Sequence, residues 1–350
     1  MAYKMAIIGF GGMGNGHFTD ISRRIKSIRV KGAYDVRPEA CENIVSKGMK
    51  LYKNPQEIYD DKKLDLVLIA TQNDVHMPYA IACLESGKNV VCEKPATLNL
   101  KELEKIYSAA EKSGKFFTIH QNRRWDTDFL TVKKIIDEKM LNNPFNIVSR
   151  VRGARKYLNN WRSYKVNGGG MIYDWGVHLV DQMLMLIPSK VVSVFVQAHS
   201  IYSKEVEDNF SASFRFENGL VYQIEVTNHL FMPPPRWMVY FEDGTVIIDD
   251  INSDGRIIKL SDKEEQQTVE EIVYMHGEII RNKALRLKEM TVELPLPEIT
   301  KPTDFHTNIA EVLAGKAEIV IKKEQALRAM RVLDLMYESM RTGSSVKCCV

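Results

Sequence analysis

Apolar runs separated by helically spaced segments occupy the first third of the chain. The runs at residues 4–8, 29–34, 64–70, 89–92 and 116–120 are short and almost continuous, as in strands buried on both faces of a parallel sheet. Helices are predicted between them, through about residue 26 and at about residues 78–86 and 100–112. This order predicts a doubly wound parallel sheet.

The pattern changes after residue 121, where a helix at about residues 129–139 precedes strands in which apolar and polar residues alternate. The alternating strands are predicted at residues 146–151, 191–198, 210–216, 220–226, 237–241 and 245–248. Two helices, at about 304–313 and 323–340, close the chain and can pack back on the first domain. We therefore predict an α/β protein, with residues 1–121 as one domain and residues 122–350 as an α+β domain around a large, mostly antiparallel open sheet.

One face of the second sheet is predicted to remain free of helices. We expect it to carry Phe214, Tyr222 and Tyr240 and to join copies of the chain into a homo-oligomer. The acidic segment at residues 261–271 is predicted to be a mobile surface insertion.

Composition narrows the class of protein. The 350 residues suffice for two cores, and 45% hydrophobic with 27% charged residues is ordinary for a globular chain. A net charge of +3 is too small to predict a nucleic-acid partner. The chain shows neither a secretory leader nor a long apolar run, so a cytoplasmic protein without membrane contact is expected. Its cysteines form neither a disulfide framework nor a metal-ligand spacing, and no metal is predicted.

The first predicted strand runs directly into a G-x-G-x-x-G motif that opens a helix. Gly9 permits the tight turn, Gly11 leaves room for a pyrophosphate, and Gly14 lets helix and strand pack closely. Gly12 and Met13 complete the motif. In this context it predicts a dinucleotide site at the N-terminus of the helix.

The second predicted strand ends at Asp35, about twenty residues past the motif, where such folds place the carboxylate that binds the adenine ribose. Its charge would repel a 2′-phosphate, which favours NAD. Arg37 and Lys31 lie nearby and can neutralise a phosphate, so NADP is the less favoured alternative.

Two more polar segments, at residues 71–76 and 93–95, follow predicted strands and face the same crevice. Lys94 is followed by a proline that restricts its backbone, so it is predicted to point into the crevice. The alternative is an ordinary surface lysine.

The segment at residues 168–182 combines three glycines, predicted to form a flexible approach, with a helix behind them. Asp174, His178 and Asp181 are spaced to project from one face of that helix. Two flanking carboxylates can raise the proton affinity of the imidazole, which suits a general base. The alternative is a polar helix face that is merely solvated.

Together these four motifs resemble the Gfo/Idh/MocA family of oxidoreductases, across nearly the whole chain. The resemblance implies a Rossmann domain, a second domain built on an open sheet, and hydride transfer between a nicotinamide and a sugar, inositol or related polyol. It also implies that Lys94, Asp174 and His178 form the catalytic set.

The resemblance further implies that Asn73 and His76 lie along the cofactor and that Glu93 lies near the nicotinamide ribose. The predicted cofactor residues are Gly9, Gly11, Gly12, Met13, Gly14, Asp35, Arg37, Thr71, Asn73, His76, Glu93 and Lys94.

The loop at residues 155–166 is rich in the aromatic and amide side chains that stack on sugar rings and bond hydroxyls. The predicted substrate residues are Arg123, Tyr157, Trp161, Arg162, Asp174 and His178. Those of the loop can equally be ordinary surface or interface residues.

The leading function is an NAD-dependent dehydrogenase acting on a secondary hydroxyl of a sugar, polyol or glycoside. His178 would take the hydroxyl proton, Asp174 would stabilise the imidazolium, and Lys94 would donate to the same oxygen. A second possibility is transient oxidation by NAD that acidifies a neighbouring C–H and permits elimination of a glycoside leaving group. A third is a non-catalytic nucleotide sensor, which the presence of all three residues disfavours.

Overall fold

The protein is described by a computed structural model covering residues 2–153, 161–252, 254–261, 269–275, 278–284 and 291–350. Six strands begin the chain: β1 (Tyr3–Ile8), β2 (Ile28–Tyr34), β3 (Lys50–Leu51), β4 (Leu66–Ile69), β5 (Asn89–Cys92) and β6 (Phe117–Ile119). The helices between them are α1 (Gly12–Arg24), α2 (Pro38–Ser46), α3 (Pro55–Asp60), α4 (His76–Glu85) and α5 (Leu100–Ser113). All neighbouring strands pair in parallel, in the order β3-β2-β1-β4-β5-β6, which confirms the predicted doubly wound sheet.

The rest of the chain begins with α6 (Thr127–Asp137) and forms a nine-stranded sheet in the order β16-β13-β12-β11-β7-β10-β9-β8-β17. Its first five strands along the chain are β7 (Pro144–Arg152), β8 (Val191–His199), β9 (Asn209–Phe216), β10 (Val221–Thr227) and β11 (Trp237–Phe241). The others are β12 (Gly244–Ile248), β13 (Gly255–Leu260), β16 (Thr291–Leu294) and β17 (Val346–Lys347). Only β7 and β10 pair in parallel, so the predicted mostly antiparallel sheet is confirmed.

The other helices of this part of the chain are α7 (Val177–Leu186), α8 (Phe305–Leu313) and α9 (Lys323–Thr342). A separate hairpin pairs β14 (Val269–Met275) with β15 (Glu278–Ala284). The predicted acidic insertion at residues 261–271 lies mostly outside the described residues, and its last part belongs to β14.

The prediction that Phe214 and Tyr222 lie on an open sheet face is wrong. They are paired across β9 and β10 and have no exposed surface, because they pack in one apolar cluster with residues of α7 and α9. Tyr240 points to the opposite face and is partly exposed. The prediction that all three residues share one face is therefore also wrong, and the helices cover the face that carries Phe214 and Tyr222.

The two C-terminal helices also contact the layers of the first sheet. Phe305 and Ile309 of α8 join an apolar cluster with Ile7 of β1 and Ile21 of α1. Residues of α9 share the larger cluster with α5 and with both sheets. Within the described part of the chain, no helix is long and apolar enough to cross a membrane.

Candidate active site

The glycine motif forms a close turn at the N-terminus of α1. Gly9 has φ of +90°, and an added Cβ there would lie 2.6 Å from the Ala70 carbonyl oxygen. A Cβ on Gly14 would lie 2.1 Å from the Gly9 carbonyl oxygen, so α1 can pack on β1 only without a side chain. A Cβ on Gly12 would meet nothing within 4 Å, and the neighbouring Met13 is exposed. The first amides of α1 therefore face open space, as a pyrophosphate requires.

Asp35 lies at the end of β2 and is held by hydrogen bonds from its surroundings. Its carboxylate accepts from the Phe10 amide at 2.7 Å and from the Arg37 side chain at 2.9 and 3.0 Å. Burial opposes ionisation, but the bonds from Arg37 and Phe10 hold the pKa of Asp35 below its ordinary value. The carboxylate is thus charged and oriented beside the glycine turn, with the half-exposed Arg37 guanidinium next to it.

Thr71 and Asn73 follow β4 at the same edge of the sheet. The Asn73 side chain donates to the Gly168 carbonyl at 2.8 Å and so links this edge to the segment before α7. His76 is predicted to line the cofactor groove, but its ring has no exposed surface. Its Nδ1 lies 2.9 Å from the Pro95 carbonyl oxygen and its Nε2 lies 3.3 Å from that of Thr71. His76 therefore braces the loops on either side of the groove, and its ring does not reach into the groove.

Glu93 is almost fully buried at the end of β5. Its Oε1 lies 2.7 Å from His17 Nε2 and 2.8 Å from His120 Nδ1. Although burial disfavours the charged form, the facing His120 and His17 hold the pKa of Glu93 well below its ordinary range. Its other oxygen accepts from the Lys94 amide at 3.2 Å, so the carboxylate is fixed directly behind Lys94.

Lys94 reaches from the first sheet to the segment before α7. Its Nζ donates to Asp174 Oδ1 at 2.9 Å and to the Asp174 carbonyl at 2.6 Å. Arg162 Nε also donates to Asp174 Oδ1, at 3.2 Å. Burial would raise the pKa of Asp174, but Lys94 and Arg162 hold it below its ordinary value. Asp174 is therefore a carboxylate between two cations, with Lys94 partly exposed.

The glycines of Gly168–Gly170 allow close packing and are not a flexible approach. Gly168 and Gly170 have φ of +69° and +103°, and Cβ atoms there would lie 2.3 Å from Leu98 and 2.5 Å from Glu207. Glu207 also accepts from the Ile172 amide at 2.9 Å. Beyond the glycines, residues 172–176 form one turn of π-helix before α7 begins. Such turns recur at functional sites, and here Asp174 lies within it.

His178 is the second residue of α7 and is almost fully buried. Its Nδ1 lies 3.1 Å from Gln121 Oε1, an acceptor, so Nδ1 carries the proton and Nε2 keeps a free lone pair. The expectation of a raised proton affinity is wrong. Burial, with the charges of Lys94 and Arg123 adding to it, holds the pKa of His178 well below its ordinary value. The ring is a neutral acceptor at physiological pH.

Asp181 does not flank His178 in the way its spacing suggests. Its carboxylate forms a two-bond pair with Arg124, at 2.6 and 2.7 Å, in which both side chains are buried. Arg124 also donates to Gln325 of α9 at 2.9 Å. The pair connects α7 to the turn after β6, because α7 presents its polar face to the first sheet and not to solvent.

The remaining predicted substrate residues differ in position. The Arg123 guanidinium lies 4.8 Å from the Trp175 ring centre, near His178. Trp161 stacks under Arg162 at 4.4 Å, which places it at the Asp174 side of the site. Tyr157 lies outside the described residues.

Sequence reasoning missed Gln121 and Glu207. Gln121 directly follows the last parallel strand, so the strand-end rule that points to Lys94 could have found it. Glu207 lies in a loop before β9, and no sequence signal connects it with Gly170 or Ile172.

A Rossmann sheet with an open glycine turn, a carboxylate after its second strand, and a lysine and histidine meeting at the strand ends defines a nicotinamide-binding oxidoreductase. Comparison with family models agrees: residues 3–121 match an oxidoreductase family with an NAD-binding Rossmann fold. Residues 129–247 match the GFO/IDH/MocA C-terminal domain. The chain belongs to the Gfo/Idh/MocA family of oxidoreductases.

Similar proteins include inositol dehydrogenases. The chain is 27% identical over 298 residues to scyllo-inositol 2-dehydrogenase (NADP(+)) IolW of Bacillus subtilis, covering 83% of this chain and 81% of that protein. It is 25% identical over 256 residues to myo-inositol 2-dehydrogenase of Thermotoga maritima, covering 71% and 75%. A crystal structure of an NAD-binding protein from Listeria innocua superposes with a TM-score of 0.90 at 37% identity, covering 99% and 97%.

Proposed function

We propose that this oxidoreductase uses NAD to oxidise a secondary hydroxyl of a sugar, inositol-like polyol or glycoside, or to reduce the corresponding ketone. The observation that carries the proposal is that Lys94, bound to Asp174, lies close enough to a neutral His178, held by Gln121, for its charge to lower the pKa of that histidine. The names of the two inositol dehydrogenases support a polyol as the substrate class.

His178 is the proposed base. When bound, the nicotinamide supplies the hydride acceptor. A group within hydrogen-bond reach of the hydroxyl must take the proton as hydride leaves the adjacent carbon. The free Nε2 lone pair of His178 can do so, while Gln121 keeps the ring in one orientation.

Lys94 is proposed to stabilise the negative charge that develops on the same oxygen. Its ammonium has three donors, and the Asp174 carboxylate and carbonyl account for two of them. The remaining donor can reach a substrate oxygen in a site where water is scarce. Asp174 therefore acts by holding Lys94 and Arg162, which replaces the predicted role of stabilising an imidazolium directly.

NAD is the proposed cofactor. The residues fit a dinucleotide, because Gly12 leaves the amides of α1 open and the charged Asp35 lies beside them. Asp35 disfavours a 2′-phosphate. NADP is the second candidate, since the Arg37 guanidinium lies next to Asp35 and IolW is named as an NADP enzyme. Measuring dissociation constants for NADH and NADPH on the full chain decides between them, and tighter NADPH binding would overturn the assignment of Asp35.

The activity is tested by screening inositols, sugars and glycosides for a change in nicotinamide absorbance at fixed enzyme and NAD. We expect one class of polyol to give turnover that the Lys94→Ala variant lacks. Release of a glycoside leaving group without net formation of NADH would favour elimination through transient oxidation. Nicotinamide binding without turnover on any member of the panel would favour the sensing function.

We also propose that residues 1–121 and 122–350 act as cofactor and substrate domains, and that copies of the chain associate through the open face of the large sheet. That face carries Met238, Tyr240 and Ile247 on neighbouring strands, all partly exposed. Light scattering after size exclusion should give a dimer or larger, and Tyr240→Glu should reduce the mass. A monomeric parent protein would overturn this part of the proposal.

A further inference from the structure

Three histidines from distant parts of the chain meet behind the active site. His17 lies on α1, His120 follows β6, and His306 lies on α8, and each is buried. We call them the histidine cluster. Each offers a ligand atom, and these atoms all lie within 4.8 Å of one another. None of these three histidines is among the predicted cofactor or substrate residues, so the proposed dehydrogenase activity assigns them no role.

Each ring of the histidine cluster has one nitrogen bonded to a carboxylate. His17 Nε2 and His120 Nδ1 meet Glu93 at 2.7 and 2.8 Å, and His306 Nδ1 meets Asp20 at 2.8 Å. These nitrogens are therefore the N–H donors. Histidines that bind metals almost always donate their second nitrogen in this way, which fixes the tautomer and the ring orientation.

Two of the three nitrogens that do not meet a carboxylate face each other. His17 Nδ1 and His306 Nε2 are 2.8 Å apart, and with both rings neutral two lone pairs face each other. A cation between them is needed to relieve the repulsion. A proton there would join only these two rings, whereas a metal ion can also bind the third ring, whose ligand atom lies within 4.8 Å of theirs.

The surroundings favour a metal ion. Two carboxylates, Glu93 and Asp20, accept hydrogen bonds from the three imidazoles. All three histidines also line a cavity of about 280 Å³, which has room for a water molecule as the fourth ligand. Ligands of a tetrahedral zinc ion lie about 3.3 Å apart at Zn–N distances of about 2.0–2.1 Å. To admit it, His17 and His306 must move apart by about 0.5 Å, and the ligand atom of His120, within 4.8 Å of theirs, must move closer by at most about 1.5 Å.

We propose that the histidine cluster binds one divalent transition metal ion of the zinc class, with a water as fourth ligand. The ion fastens α8 to α1 and to the turn after β6, and it holds Glu93 in place directly behind Lys94. His120 lies 103 residues after His17, and His306 lies 186 residues after His120. The sequence therefore contains no short motif that would predict the site.

The test is zinc titration by calorimetry on the full chain after treatment with a chelator. A Cys348→Ser/Cys349→Ser background removes the adjacent thiols near the C-terminus as competing ligands. We expect one zinc ion per chain, a rise in melting temperature, and a tetrahedral absorption spectrum with Co²⁺. His306→Ala and His120→Ala should each abolish stoichiometric binding, whereas His199→Ala, at an exposed position, should bind as the parent does.

A milder pair of variants keeps the test valid if a histidine variant fails to fold. Asp20→Asn removes the acceptor of His306 and should weaken zinc binding about 10–100-fold. Arg23→Ala removes an exposed ion-pair partner of Asp20, 3.8 Å away, but leaves the bond of Asp20 to His306, and should change affinity little. Parent protein that takes up no zinc, or variants of His120, His306 and Asp20 that all bind as the parent does, would overturn the proposal. No measurement here needs a substrate, so the result is independent of the proposed dehydrogenase activity.

Discussion

Glu93 and Lys94 are consecutive residues, yet they face two sites of opposite electrostatic character. Burial and the charges of Lys94 and Arg123 lower the proton affinity of a single histidine, His178, and one carboxylate, Asp174, lies between Lys94 and Arg162. Glu93 instead faces two histidines, His17 and His120, and the third histidine of the cluster, His306, is bonded to Asp20. The first environment favours an oxygen that becomes negative, and the second favours a cation. Burial lowers the pKa of His178, His17 and His306 alike, so the charges around each imidazole distinguish the two sites.

At the site that contains Lys94, we expect the largest effect on turnover from the removal of the His178 side chain. His178→Ala should lower turnover about 10²–10⁴-fold, because general-base catalysis contributes about that much. Affinity for NADH should be nearly unchanged, since the predicted contacts to the dinucleotide lie elsewhere. Steady-state kinetics on the best substrate found, with NADH binding by fluorescence, checks both. His199→Ala is the control and should turn over normally. Normal turnover by His178→Ala would transfer the role of base to Lys94 or another group.

Asp181 should matter more for stability than for chemistry. Asp181→Asn leaves the buried Arg124 without its charge partner, and breaking a buried pair costs about 3–5 kcal/mol in the free energy of unfolding. Urea unfolding measures this. Asp137→Asn, which breaks the exposed Lys133 pair, should cost at most about 1 kcal/mol. Turnover per folded molecule should fall less than in His178→Ala. An equal loss of turnover would place Asp181 in the chemistry.

The cofactor preference should respond to Asp35. Asp35→Ser removes the negative charge and releases the Arg37 guanidinium, so the ratio of NADPH to NADH affinity should rise by on the order of tenfold, or about 1.4 kcal/mol. Dissociation constants for both nucleotides measure it. In the double variant Asp35→Ser/Arg37→Ala, the ratio of NADPH to NADH affinity should return towards that of the parent protein. A ratio unchanged by Asp35→Ser would mean that the carboxylate does not face the ribose.

The smallest effect concerns pH. The pKa of His178 is lowered on folding, so below about pH 6.5 the unfolded chain binds a proton there that the folded chain does not. This contribution makes stability fall as pH decreases from about 6.5, by at most about 1.4 kcal/mol per pH unit. His178→Gln should show a shallower fall in the free energy of unfolding between pH 7.5 and 5.5. Equal slopes would show that His178 ionises alike in both states.

Much of the fold follows from local patterns. The glycine turn, Asp35 and Lys94 lie at strand ends because a parallel sheet collects the carboxyl ends of its strands at one edge. Local patterns do not predict which face of the second sheet the helices cover. Alternation places Phe214 and Tyr222 on one face, but the helices that bury them come from other parts of the chain.

The electrostatics of the site were also beyond the sequence. Spacing predicts two carboxylates beside His178, whereas the structure buries the ring and brings Lys94 and Arg123, more than fifty residues earlier, close enough to lower its pKa further. The carboxylates themselves are paired with Lys94 and with Arg124. Spacing along a helix tells which residues share a face, but not which charges that face meets.

The placement of α8 also has a consequence for biosynthesis. Phe305 and Ile309 complete an apolar cluster with Ile7, Phe10 and Ile21, so the first sheet leaves the ribosome with part of one face uncovered. At about 5–20 residues per second, synthesis separates residue 121 from Phe305 by roughly 10–40 s. During that interval the apolar residues that α8 later covers are exposed to solvent. We therefore expect the nascent chain to bind chaperones that prevent aggregation until about its last tenth is translated.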